Sequence, residues 1–244
     1  GREKSLAPWR DPAVNGVNRL PMRADYFAFQ SGEEATTKEH SSRYLSVNGP
    51  WRFLWVCHAE DRPRDFGALR LEDRSWATIP VPGIWELHGY GEPLYANAVY
   101  AWHNQFKNDP PIVPLRENHV GSYRRRILIP SAWRGKRVIA HFGAVSSSLT
   151  LAVNGREVGY SEDSKLPAEF DITPYVRFGE ENLLAFQVFR WVDGTYLECQ
   201  DFWRLSGVAR DCYLYARSPQ RIEDVQLVAD LDTLHYQTGL LSLK

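Results

Sequence analysis

Leu149-Thr150-Leu151-Ala152-Val153-Asn154-Gly155-Arg156-Glu157-Val158-Gly159-Tyr160 is the stretch that decides the fold. Asn-Gly between two apolar runs is the strongest short hairpin signal, because both residues accept the positive φ that a two-residue primed turn demands. Strands are therefore expected at 149–153 and 157–160. Reading outward gives similar short segments at 122–129, 137–142, 169–172, 182–191 and 210–215, and another at 51–56 behind the Asn48-Gly49 turn. Short helical turns fit 131–134 and 173–176. Many short strands with turn signals at this spacing mean an all-β antiparallel sandwich, of jelly-roll kind.

Composition agrees with that reading. Nine Trp, twelve Tyr and eleven Phe stand against one Met, and Gly and Pro punctuate the chain, which leans it towards strands. The first 45 residues are polar and irregular, with aromatic islands at Trp9 and Tyr26-Phe27-Ala28-Phe29; such a segment cannot bury enough to fold alone and must lie on something else. Residues 79–114 carry Pro80, Pro82, Pro93, Pro110, Pro111 and Pro114 and suit neither a long helix nor regular sheet, so they form a candidate binding rim. After Arg217-Ser218-Pro219 the pattern resets. Segments 222–232 and 234–242 read as two more strands with no partners left to complete a sandwich, the start of a second β-domain with its boundary at Pro219.

The formal charge is −1 with both signs interspersed, which gives no electrostatic footprint for nucleic acid or anionic lipid. The basic run Arg124-Arg125-Arg126 falls in a strand pattern, where two of its members share a face, and reads as a solvated edge. Cys57, Cys199 and Cys212 lack metal-like spacing and are odd in number, leaving room for one bridge at most. No apolar run is long enough to span a bilayer, and residues 1–11 lack an apolar signal core, as they also would in an exported protein whose leader had been removed. The compartment stays open. Phosphate-loop, dinucleotide, zinc-protease and serine-elbow motifs are missing.

Chemistry concentrates in 191–204, Trp-Val-Asp-Gly-Thr-Tyr-Leu-Glu-Cys-Gln-Asp-Phe-Trp-Arg, which places Asp193, Glu198 and Asp201 among large aromatics. Sugar hydroxyls want charged acceptors and the C–H faces of the ring want an aromatic surface, so this mixture suits a saccharide. A strand end with a packed aromatic core and solvated acids would give the same letters. By that bland reading Trp85, Trp102 and Trp203 are core residues, Asn97 is a turn residue tolerating positive φ, and His88 and His103 are hydrogen-bonded loop residues.

A long collinear set of segments sharpens the choice. It includes Leu45-Ser46-Val47-Asn48-Gly49-Pro50-Trp51-Arg52-Phe53, Pro80-Val81-Pro82-Gly83-Ile84-Trp85, Pro93-Leu94-Tyr95-Ala96-Asn97, Ser164-Lys165-Leu166-Pro167-Ala168-Glu169-Phe170-Asp171 and Gln200-Asp201-Phe202-Trp203-Arg204-Leu205-Ser206-Gly207. Through these the chain resembles the amino-terminal sugar-binding domain of glycoside hydrolase family 2, in the branch of the bacterial β-galactosidases. The resemblance implies a galactose-binding-like jelly roll over 46–218, an irregular arm over 1–45, and the truncated start of an immunoglobulin-like β-sandwich over 219–244. It implies a retaining hydrolase of terminal β-galactosides whose two catalytic Glu residues belong to a barrel domain outside this chain, so that no catalytic residue is expected here. It further implies that Asn97 and Asp201 reach the galactosyl unit and that Asp201 also contributes to a sodium site. Asp193 and Glu162 stand where relatives hold a peripheral divalent ion, magnesium in the complete enzyme, although the amino-terminal ligands of that site do not align on 8–11. Cys199 replaces a second acid beside Asp201.

Other functions remain on the table at this point. The sandwich alone could act as a lectin-like module with weak affinity for galactosides. The arm could be an assembly segment of a homo-oligomer, since a polar arm is stable only when docked. A stand-alone glycosidase built on Glu198 and Asp201 is disfavoured, because residues three apart on a strand point to opposite faces.

Overall fold

Asn154 (φ 50°) and Gly155 (φ 84°) both lie in the left-handed region, so the Asn-Gly dipeptide makes the expected primed turn. The structure, a computed structural model, describes residues 6–37, 39–102 and 105–244; His103 lies outside the described residues. In chain order the strands are β1 (Gly16–Val17), β2 (Tyr44–Ser46), β3 (Gly49–Val56), β4 (Ala77–Val81), β5 (Gly83–Ile84), β6 (Leu94–Ala96), β7 (Val120–Leu128), β8 (Arg137–Phe142), β9 (Val145–Ser146), β10 (Ser148–Val153), β11 (Arg156–Glu162), β12 (Ala168–Asp171), β13 (Glu181–Phe189), β14 (Phe202–Arg204), β15 (Gly207–Val208), β16 (Cys212–Arg217), β17 (Leu227–Leu231) and β18 (Gly239–Leu243). Two sheets form the sandwich, one in the order β1-β11-β10-β13-β7-β3-β4 and the other in the order β12-β8-β16-β2. The helical turns expected after β7 and β12 are 3-10 turns at Ser131–Trp133 and Thr173–Tyr175.

The core lies between the sheets. Phe186 of β13 stacks on Tyr123 of β7 at 4.2 Å and meets Phe142 of β8 edge-on at 5.3 Å, so one aromatic set bridges both layers. Gly121 is required where it stands, because a Cβ there would sit 2.4 Å from Trp85. Trp85 and Trp102 are 0% and 1% exposed, as the core reading anticipated.

Two expectations need correction. The proline-dense stretch from residue 79 was expected to avoid sheet, yet it begins inside β4. Pro80 pairs with Pro50 on the edge strand, beyond the point where β7 begins to pair with β3 at Arg52, so neither missing N–H interrupts a central ladder. The arginine run is not a solvated edge either. β7 is an interior strand, and Arg124 is 1% exposed under the segment 62–76, donating to the carbonyls of Phe66, Ala68 and Leu71 and pairing with Asp73 at 2.7 Å. Arg126 on the same face is exposed.

The arm docks on its own sandwich. β1 pairs with β11, Leu20 N–H donates to Glu169 O at 2.9 Å, and Asn18 Nδ2 donates to Val158 O at 2.8 Å. Arg23 lies over Glu169, which also accepts from Tyr215 at 2.9 Å and hydrogen-bonds His141 at 2.9 Å. Beyond Pro219 the strands are shorter than expected. Asp232 accepts backbone N–H bonds from Leu234, His235, Tyr236, Gln237 and Thr238, which turns 232–238 into a loop between β17 and β18. Both hairpin strands are exposed throughout. Among the described residues no helix is long and apolar enough to cross a membrane.

Candidate sugar-binding site

A two-stranded ladder outside the main sheets builds the site. β6 and β14 pair antiparallel with Ala96 opposite Phe202, Tyr95 opposite Trp203 and Leu94 opposite Arg204. Side chains alternate across a strand, so Tyr95 and Asn97 share a face on one side and Trp203 and Asp201 share it on the other. The burial follows that alternation: Tyr95, Asn97, Asp201 and Trp203 are exposed, while Leu94, Ala96, Phe202 and Arg204 are partly or fully covered. Asn97 and Asp201 each lie one residue beyond the last pair, in bends at the same end of the ladder.

The two sequence-predicted sugar residues thus flank the same end of the ladder, and both are exposed. Asn97 lies in the bend that follows β6 but without the positive φ that the turn reading invoked; the non-glycine residues with positive φ are Asn18, Glu117, Asn154, Asp163 and Tyr236. Trp203 departs from the core reading with 55% exposure, and its ring centroid lies 5.6 Å from that of Tyr95. The Tyr95 hydroxyl donates to Asp201 Oδ1, and that bond is the first cause raising the phenol above its ordinary pKa. Neither Tyr95 as a partner nor Trp203 as an exposed platform was expected; the alternation of 95 with 97 and of 201 with 203 was the available signal.

The covered face holds the ladder in place. Arg204 is buried, donates to the carbonyls of Ala96, Glu198 and Gln200, and lies over the Phe202 ring at 4.4 Å. It ties β6, β14 and the preceding loop into one unit. A cleft of about 320 Å³ opens on this side, lined by Ser164, Lys165, Glu198, Gln200, Phe202 and Arg204 among others. Glu198 is committed to Ser164, accepting from its N–H at 3.0 Å and from its hydroxyl at 2.5 Å, so it does not join Asp201. Burial pushes the Cys199 thiol up and keeps it neutral beside Asp201. His88 is exposed.

Glu162 and Asp193 form a separate, buried acid pair. The turn at Asp193–Tyr196 brings Asp193 against the end of β11, and a Cβ on Gly194 would lie 2.7 Å from Glu162 Oε2. Burial above all pushes Glu162 up to about 8, with the Asp193 charge adding to it; Asp193 is raised by burial and by the charge of Asp11. Two adjoining carboxylates in a dry site cannot both stay ionised without a proton or a cation between them. Asp193 Oδ1 is sealed from solvent with no hydrogen-bond partner among the described residues. That unsatisfied hard oxygen beside the Glu162 carboxyl is the kind of donor a divalent ion such as magnesium takes. Among the described residues the clustered set of three ligand side chains is Asp25, His141 and Glu169, and Asp11 does not close such a set with Asp193 and Glu162. Cys57, Cys199 and Cys212 are all free thiols, so the bridge left open by the sequence is not formed.

An antiparallel sandwich with an open aromatic and carboxylate face is the anatomy of a carbohydrate-binding domain. Residues 44–218 match the family description "Glycosyl hydrolases family 2, sugar binding domain", and the chain belongs to that family. It is 40% identical over 235 residues to a β-galactosidase of Priestia megaterium, covering 96% of this chain and 22% of the relative. It is equally 40% identical over 232 residues to a β-galactosidase of Halalkalibacterium halodurans, covering 95% of this chain and 23% of the relative. The chain thus spans about a fifth of the length of these relatives. Its fold resembles that of a β-glucuronidase from an uncultured Clostridium species, with a TM-score of 0.60 and 17% identity, covering 93% of this chain and 35% of the other.

Proposed function

We propose that the chain is the amino-terminal sugar-binding portion of a β-galactosidase that hydrolyses terminal β-galactosides with retention. Retaining chemistry needs two carboxyl groups roughly 5 Å apart across the scissile bond. The acid pair in this chain, Glu162 and Asp193, is 6% and 8% exposed and lies beneath the arm, where no glycoside reaches it. The two catalytic Glu residues are assigned to a barrel domain beyond this chain, and the chain alone is inactive.

The observation that carries this reading is the common exposed face of Tyr95, Asn97, Asp201 and Trp203. Asn97 both donates and accepts, and Asp201 accepts two hydroxyls or one hydroxyl and a hard cation, which is how a galactosyl unit and a sodium ion would be held together. Asp201 is exposed, with its recorded hydrogen bond on Oδ1, and its remaining sodium ligands would come from the barrel. Glu162 and Asp193 would hold the peripheral magnesium, which would supply charge neutralisation to the buried pair and not catalysis. The arm is satisfied by its own sandwich, so a homo-oligomeric parent enzyme rests on the family resemblance alone.

The test uses a chromogenic β-galactoside. The chain alone gives no turnover; in the complete enzyme Asp201→Ala raises KM roughly 10–100-fold, the equivalent of a charge-assisted hydrogen bond. Hydrolysis by the chain alone that Asp201→Ala abolishes would overturn the assignment of catalysis to the barrel.

A further inference from the structure

Asp201 sits one residue outside the last ladder pair, Phe202 with Ala96, so no cross-strand pair of β6 and β14 fixes it. It is exposed, and its one recorded side-chain partner among the described residues is the Tyr95 hydroxyl. A carboxylate held only by its own torsions would sample several orientations and would lose that freedom on each binding event. Tyr95, by contrast, is at the centre of the ladder, directly opposite Trp203, with ring centroids 5.6 Å apart and ring planes inclined at 56°.

We propose that Tyr95 is a positioning residue of the galactoside site: its hydroxyl holds Asp201 Oδ1 so that Oδ2 is the oxygen presented to ligand, and Trp203 seats the Tyr95 ring. The inference rests on the sugar-site reading given above and goes one step further into it. Tyr95 and Trp203 are 54% and 55% exposed, so the pair contributes little to the stability of the fold. Its geometry serves orientation. A cross-strand aromatic pair that merely stabilised the ladder would not need a hydroxyl, and would leave the behaviour of Asp201 unchanged.

A double-mutant cycle in the complete enzyme tests this, with Tyr95→Phe preserving the ring and removing the donor. Tyr95→Phe lowers kcat/KM about 3–10-fold, the range of one net hydrogen bond. In an Asp201→Ala background the same change alters kcat/KM by less than about two-fold, because the group that Tyr95 acts through is gone. The melting temperature stays that of the parent; if Asp201→Ala does not fold, Asp201→Val, which also lacks an acceptor for the Tyr95 hydroxyl, takes its place in the cycle. Equal losses in both backgrounds overturn the proposal, as does a neutral Tyr95→Phe in an enzyme that Asp201→Ala impairs. If Asp201→Ala leaves kcat/KM unchanged, the sugar-site reading itself falls and takes this inference with it.

Discussion

Replacing Arg124 by Ala strikes the point where the sequence and the structure disagree most about exposure. The guanidinium is 1% exposed, donates to the carbonyls of Phe66, Ala68 and Leu71, pairs with Asp73 and lies 5.9 Å from the Trp76 ring. The Asp73 side chain is 26% exposed and can rehydrate in part, but the carbonyls lose their donor inside a covered layer. Unsatisfied buried acceptors cost about 1–3 kcal/mol each, and breaking a buried pair from one side costs about 3–5 kcal/mol. We expect the whole change to destabilise the chain by about 4 kcal/mol, a fall in melting temperature on the order of 10 °C for a chain of this size. Arg126→Ala is the control. Its pair with Glu181 is 3.6 Å long and both side chains are at least half exposed, so it changes stability by no more than about 0.5 kcal/mol. Urea unfolding of both variants decides the matter: equal midpoints would refute the claim that 62–76 is a structural cover organised by Arg124.

Three further outcomes follow from the same structure. Burial pushes the Glu169 carboxyl up, but His141, Arg23 and Tyr215 outweigh it and leave it below its ordinary value; its stabilising effect is therefore complete above the unfolded pKa of ~4.3 and is lost as pH falls through the lower folded value, so Glu169→Gln should flatten the acid limb of a urea-midpoint profile. Magnesium should raise the melting temperature more at pH 8 than at pH 6, since the proton that Glu162 keeps up to about 8 competes with the metal, and Asp193→Asn should remove the effect; equal shifts at both pH values would argue against that site. Cys212 is fully buried with its thiol pushed up to about 12, so alkylation of the folded chain should spare it and modify it only in denaturant, as peptide mass mapping would record.

The parts of the fold that were legible are those set by neighbours in sequence. Asn154-Gly155 names its own turn, and β8 at Arg137–Phe142 falls where its apolar run predicts. Arg124 was misread because alternation tells which residues share a face but not which face a distant loop will cover. Trp203 was misread for a related reason: its neighbour Tyr95 is 108 residues away by the register pairing (203 − 95), and no local pattern announces the β6 and β14 ladder. The short helix Gly32–Thr37 did leave a local trace, since Ser31 Oγ accepts from Glu34 N–H at 3.1 Å in a capping pattern that the polar composition of the arm obscures. Asp193 and Glu162 were named from resemblance, since residues 31 apart in sequence (193 − 162) give no local sign that they form a buried pair.

The most direct test of the account is a galactose titration of the chain followed through the indole N–H signals of its nine Trp residues. On the proposal that a barrel completes the cavity, this chain alone should bind at millimolar strength or weaker, with a Kd of roughly 1–100 mM. The predicted result is a saturable shift of the Trp203 indole that Asp201→Ala abolishes, with the buried indoles of Trp85 and Trp102 unmoved. A Trp203 signal that stays fixed well above that concentration range, or that shifts equally in Asp201→Ala, would contradict the assignment of the Asn97 and Asp201 face to sugar.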